Sequence, residues 1–316
     1  MKFILKISLF CLLLMATYLF FVDKLSEGYV DQYYHKFTQE SGSLILGLSR
    51  ADQNIAPKVL EHELRALKFD MPITNFAINL DHSAYGQLYL QGIKDKLNPK
   101  LNNGLFILSV TPGAFTAPLK MDDEAIFNLD KKGVIGKTAN LKQSPNYDYI
   151  INNYANPLYN GIINLNSWNH HIAHDNGWNE FVLVSHSDTL KHDDMLFWKT
   201  QTIKYYRKKN ELLEVSKYRI NGFVDTIEYL KTKGHVFMVR LPADADFIEF
   251  ENSNWPTFNQ EFDSIAKHYQ VPFLNYTLQN TNYKTYDGSH MLSQSAKAYT
   301  KQLSTDIKKN LSKNKE

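Results

Sequence analysis

The sequence has almost no cysteine: Cys11 is the single one in 316 residues. Internal disulfides are thereby excluded, and stability has to come from an apolar core. Net charge is scarce as well. The formal value is +2, and Lys2 and Lys6 alone account for it. A chain without a basic surplus does not read as a polyanion binder, so no nucleic-acid partner is expected. Internal repeats and a glycine-rich phosphate loop are missing too. The apolar share, by contrast, is 43%, with 19 Tyr and 19 Phe, a composition that favours a packed globular body over disorder.

Charge is absent altogether from Ile7 to Val22, "ISLFCLLLMATYLFFV". With Phe3 to Leu5 this run approaches the roughly 20 residues that cross a hydrocarbon core. A cleaved signal peptide would be shorter and end in a small-x-small site, whereas the bulky "TYLFFV" runs directly into Asp23 and Lys24. Cys11 lies inside the apolar run and does not read as a lipidation site. Residues 1–22 are therefore expected to form an uncleaved signal anchor, single-pass in the cell membrane. Lys2 and Lys6 would stay in the cytoplasm and the body would be extracytoplasmic, on the periplasmic side. Residues 23–42 read as an amphipathic spacer.

From Ser43 onward short apolar runs alternate with segments of helical periodicity. Strands are expected at Ser43–Leu48, Ile73–Leu80, Gly104–Val110, His235–Pro242 and Val271–Tyr276. Helices are expected at Pro57–Leu67, Tyr85–Asn98, Asn221–Gly234, Phe258–Gln270 and Ser295–Leu311. Strands that read as continuous apolar runs are buried on both faces. The predicted fold class is α/β, three layers (α/β/α) around a mostly parallel sheet. One domain covers 43–311, and 312–316 is a polar tail. The rhythm breaks at about 112–191, a stretch rich in Asn, Tyr, Trp and His that reads as a partly helical insertion near the mouth of the site.

In such sheets ligands sit beyond the carboxyl ends of the strands. Ser49, in "LILGLSRADQ", falls at such an end. A serine hydroxyl becomes nucleophilic only when an imidazole takes its proton, and the imidazole needs an acceptor on its other nitrogen to fix the tautomer. "YDGSHML" supplies both from one polar loop before the last helix, as Asp287 and His290. Each piece alone has a plainer reading: a serine after a strand usually caps a helix, and Asp-Gly usually marks a turn.

Taken together, Gly47-Leu48-Ser49 and Asp287-Gly288-Ser289-His290 resemble the first and last blocks of the SGNH (GDSL-like) hydrolase family. The resemblance spans about Ser43 to Leu311 without the insertion, and implies an SGNH-hydrolase/flavodoxin-like fold. "GLSRA" and "VRLP" (Val239 to Pro242) look closest to a membrane-anchored branch resembling accessory proteins of cell-envelope acylation. The resemblance implies Ser49 as nucleophile, His290 as general base and Asp287 as its partner. Oxyanion donors would be Ser49 N–H, Gly86 or Ser83, and Thr111, which stands in for an asparagine that this chain lacks after its third strand. Substrate contacts would come from Arg50, Tyr85 and Trp168. The implied activity is an esterase or O-acyltransferase acting on an acylated envelope glycan or an acyl donor, with a membrane O-acyltransferase as a partner and no cofactor. The alternative is an inactive glycan-binding or assembly subunit of the same fold.

Three further features have two readings each. "HHIAH" places His170 and His174 one helical turn apart, as a metal site could, although a polar patch is the simpler reading and no metal is expected. Tyr154, Tyr159, Trp168 and Trp178 form either a sugar-stacking platform or ordinary packing. Arg50 either meets an anionic substrate group or pairs inside the fold, and "KYYRKKNE" (Lys204 to Glu211) reads as a solvated helix face.

Overall fold

A computed structural model describes residues 2–78, 85–163, 170–182, 192–278 and 283–313. Its centre is a sheet of five parallel strands: β1 (Ser43–Leu46), β2 (Ile73–Asn75), β3 (Gly104–Ser109), β4 (Gly234–Arg240) and β5 (Phe273–Asn275). Their order in space is 2-1-3-4-5, that of a flavodoxin-like doubly wound sheet. The three-layer α/β/α class expected from the apolar runs is the one the chain adopts.

Alternate residues of each strand feed two separate cores. Leu44, Leu46, Phe106, Leu108 and Met238 face one side, where α4 (Gln87–Lys96), α6 (Lys217–Lys231) and α8 (Phe258–His268) cover the sheet. Ile45, Leu105, Ile107, Phe237 and Val239 face the other, under α3 (Pro57–Leu64) and α9 (Ser293–Lys313). Helix α9 runs two residues beyond the expected end at Leu311, so Ser312 and Lys313 are helical and not tail.

Helix α1 (Lys2–Glu27) is long and apolar enough to cross a membrane. Its large apolar side chains from Phe3 to Phe20 are exposed, while Val22 and Leu25 are buried in the body. The stretch expected as a spacer turns out to be part of the fold. Val30, Tyr33, Tyr34 and Phe37 enter the same core as Leu44 and Phe106, and Lys36 is fully buried. Aromatic side chains recurring through "YVDQYYHKF" give this strap enough apolar area to pack, and its polar groups find partners inside.

Between β3 and α6 lie the short helices Asp123–Asp130, Val134–Lys137 and Tyr147–Asn153, a hairpin (His171–Ala173 with Asn179–Phe181), and α5 (His192–Asn210). This long crossover carries the segment read as an insertion.

Candidate active site

Strand β1 ends at Leu46, and Gly47 turns the chain with φ +142°, a conformation an L side chain rarely adopts. Ser109 at the end of neighbouring β3 crowds that turn: a Cβ on Gly47 would lie 2.6 Å from Ser109 Cβ. Gly47→Ala is therefore expected to lower unfolding stability by about 1–3 kcal/mol, measured by denaturant unfolding. Ser109→Gly in the same chain should restore the steric part only, since the φ penalty remains.

The turn delivers Ser49, buried to 3% exposure, as the first residue of α2 (Ser49–Asn54). Helix α2 is bonded directly to the loop before α9. Arg50 Nε donates to Ser289 Oγ at 2.9 Å, Asn54 Nδ2 donates to the Ser289 carbonyl at 3.3 Å, and Met291 N–H donates to Asn54 Oδ1 at 2.8 Å. Ser49 and His290, 241 positions apart in the chain, thus flank the same Arg50–Ser289 contact.

Within the loop, Asp287 Oδ1 accepts the N–H groups of Ser289 (3.0 Å) and His290 (2.8 Å), and Oδ2 lies 2.7 Å from His290 Nδ1. A carboxylate accepts only, so Nδ1 carries the proton and Nε2 is the basic nitrogen. Nε2 is buried and has no hydrogen-bond partner among the described residues. Burial works to raise the Asp287 pKa, but the adjacent His290 ring and the two N–H bonds outweigh it and hold the carboxyl below its usual range. Tyr206 of α5 lines the same cavity as Ser49, and burial raises its phenol pKa while the nearby Arg50 works to lower it.

The crossover walls this centre. Phe181 stacks on Tyr286 at 3.9 Å, and Tyr286 lies in turn beside His290 with its hydroxyl donating to Gln53 Oε1 at 2.7 Å. His171 is held near pKa 4 by burial and by the neighbouring His290, so it is neutral at pH 7. Ser49 lines a cavity of about 160 Å³ together with Thr111, Val215, Trp255 and, from α7 (Ala245–Asn254), Phe247 and Phe250.

Of the oxyanion candidates, Thr111 shares the cavity with Ser49. Gly86 does not: it is packed against Tyr218, Arg219 and Asp130 beneath α6, and Ser83 lies outside the described residues. Of the substrate-contact candidates, Tyr85 is fully buried, donates to the Ser109 carbonyl at 2.8 Å and stacks on Phe115, so it supports β3 from within the core. Trp168 lies outside the described residues. Arg50 borders the cavity, but its guanidinium is engaged by Glu251 at 2.8 Å, which favours the internal-pair reading.

"HHIAH" is a hairpin strand and not a helical turn. His174 Nε2 meets Glu180 at 2.7 Å and its ring stacks on Trp178, while His170 Nδ1 faces the Val182 carbonyl, so the rings diverge. Among the described residues no group of three His, Cys, Asp or Glu is placed to hold a metal ion. Trp178 is buried and donates to the Gln53 carbonyl at 2.8 Å, which makes it packing for α2 and not a platform.

Sequence reasoning missed Tyr206 and the buried pair of Lys36 with Asp52. Ile203, Tyr206 and Asn210 share one half-buried face of α5, at a spacing of three and four that was present in the sequence. No family model, no curated protein and no solved structure matches this chain.

Proposed function

We propose that this chain is a membrane-anchored serine esterase or O-acyltransferase of the SGNH type, with α1 in the membrane and the α/β body on the extracytoplasmic side. One observation carries the reading: His290 Nε2 is buried without a hydrogen-bond partner among the described residues, its Nδ1 is fixed by Asp287, and its loop is hydrogen-bonded to the helix that Ser49 opens. A base with one nitrogen locked by a carboxylate, on a loop bonded to the helix that a buried serine opens, is the kind of arrangement acyl transfer requires.

Catalysis begins when the Ser49 hydroxyl turns toward Nε2. Ser49 Oγ then attacks the acyl carbonyl while His290 takes its proton, and Asp287 stabilises the imidazolium. The alcohol leaves with that proton as the ester C–O bond breaks. His290 next deprotonates water or a sugar hydroxyl, which attacks the acyl-serine and regenerates Ser49. The apolar cavity receives the acyl portion. Ser49 N–H and the Thr111 hydroxyl are the candidate oxyanion donors, and a site lacking one donor works about 10²–10³ more slowly. Acyl groups on an envelope polysaccharide or a lipid-linked glycan suit an exported enzyme, and a membrane O-acyltransferase is the partner that would supply or consume them.

A fluorophosphonate probe tests this, because its phosphorus captures an activated serine with loss of fluoride. The full chain in detergent should label, and Ser49→Ala should remove at least 90% of the signal, about a tenfold loss. A folded wild type that does not label overturns the enzyme. It would favour a glycan-binding or assembly subunit, a reading supported by the missing asparagine after the third strand.

A further inference from the structure

Helix α1 does not leave the body through a free linker. Its last turns pack against the helix Tyr147–Asn153 and the turn Leu158–Gly161. Tyr147 Oη donates to Asp23 Oδ1 at 2.7 Å, and Gly161 approaches so closely that a Cβ there would lie 2.9 Å from the Leu25 backbone nitrogen. Around this contact the body exposes large apolar side chains: Ile151 at 49%, Tyr159 at 49%, Ile162 at 58% and Ile163 at 55%. In water four such side chains in neighbouring segments are a liability.

Their height along α1 explains them. Phe3 to Val22 is 20 residues, and at 1.5 Å per residue it spans about the 30 Å of a hydrocarbon core, with the Lys6 ammonium reaching back to the cytoplasmic headgroups. Hydrocarbon then ends near Val22, and Leu25, three residues on, lies about 5 Å beyond it, inside the headgroup layer. Gly161 is in contact with Leu25, and Ile162 and Ile163 follow it directly. We infer that Ile151, Tyr159, Ile162 and Ile163 form a second, peripheral membrane contact that seats the body on the same bilayer α1 crosses. The inference rests on α1 spanning the membrane. Tyrosine at headgroup depth with isoleucine beside it is the amphipathic mixture such a layer accepts.

The seat also fixes the height of the candidate active site. From α1 the strap carrying Tyr34 and Phe37 runs straight into the core, and its Lys36 is bonded to Asp52 of α2. The substrate carbonyl would thus be met at a set distance from the lipid surface, which suits an acyl group on a lipid-linked molecule.

The test uses the full chain carrying Cys11→Ser, with a single cysteine introduced by Phe20→Cys, Ile163→Cys or Leu278→Cys. Each is labelled with an environment-sensitive fluorophore and reconstituted into phosphatidylcholine–phosphatidylglycerol vesicles containing a headgroup nitroxide quencher. Leu278 is 95% exposed and follows β5, the sheet edge opposite the strap side, so it is the aqueous reference. Labels at 20 and 163 should each be quenched at least threefold more than the label at 278. Quenching at 163 equal to that at 278, with 20 strongly quenched, overturns the seat and leaves the anchor standing. Equal, weak quenching at all three positions overturns the anchor and the seat together.

Discussion

Asp287→Asn should lower kcat for ester cleavage by about 10⁴ while leaving the fold in place. The expected size follows from the hydrogen bonds of one carboxylate. Oδ1 accepts two backbone N–H groups, from Ser289 and His290, so an asparagine there has to keep its carbonyl oxygen in the Oδ1 position. Its NH₂ then points at His290 Nδ1, 2.7 Å away in the native loop. Two donors cannot face each other, so the proton moves to Nε2. That removes the bare nitrogen Ser49 needs, and the imidazolium loses its counter-charge as well. Burial strengthens the effect, since Nε2 has no hydrogen-bond partner among the described residues to offset the change. Steady-state hydrolysis of an activated acetyl ester, with the thermal midpoint as a fold control, checks the prediction. A variant within tenfold of wild type would show that Asp287 does not orient a catalytic base. His171 gives no rescue, because a pKa pushed down to about 4 by burial and by His290 makes it too weak a base.

The sheet was legible because its strands are buried on both faces and so read as unbroken apolar runs, bounded by Gly, Pro or Ser. The strand ends then placed Ser49 correctly, and "DGSH" placed the loop. What failed had a different physical origin in each case. The strap at 23–42 looked like a spacer because its lysine and histidine mask the apolar period, and the burial of Lys36 makes sense only once Asp52 is its neighbour. "HHIAH" matched a helical spacing, yet the following "DNGW" held the competing signal. Gly177, with φ +81°, closes a turn from His174, and a Cβ there would lie 2.3 Å from the Asn75 carbonyl oxygen. Tyr85 is expected to meet substrate, but it lies in the loop before α4 and its ring enters the core, where its hydroxyl donates to the Ser109 carbonyl. Tyr206 lies in a segment dominated by four cations, Lys204 and Arg207 to Lys209, where the charge hides a half-buried face. Sequence order sets Ser49 after the first strand and the Asp287–His290 loop before the last helix; which side chains share a cavity with Ser49 depends on crossings between distant segments, which order alone does not encode.

Lys36→Met should destabilise the protein by about 3–5 kcal/mol, the cost of leaving a buried charge without its partner. Lys36 Nζ donates to Asp52 Oδ1 at 2.7 Å, to the Asn75 carbonyl at 3.0 Å and to the Gly177 carbonyl, while Asn179 Nδ2 is 2.9 Å from each Asp52 oxygen. Neither partner touches solvent: Lys36 is at 0% and Asp52 at 2% exposure. Burial pulls the Lys36 pKa down and pushes the Asp52 pKa up, each against the attraction between them, so desolvation is the larger effect for both. A methionine fills the lysine's volume but leaves Asp52 to Asn179 alone. The double variant Lys36→Met with Asp52→Asn removes the stranded charge at constant shape and should recover about 1–3 kcal/mol. In thermal unfolding the single variant should lie roughly 6–20 °C below wild type, with the double between them. A single variant within 1 kcal/mol of wild type would show that water or rearrangement already compensates Asp52. The same variant links stability to the site, because Asp52 is three residues after Ser49 on α2 and the strap holding it comes directly from α1. Loss of the pair should therefore loosen α2 against the Asp287–His290 loop, and fluorophosphonate labelling of Ser49 should slow in the single variant and return in the double.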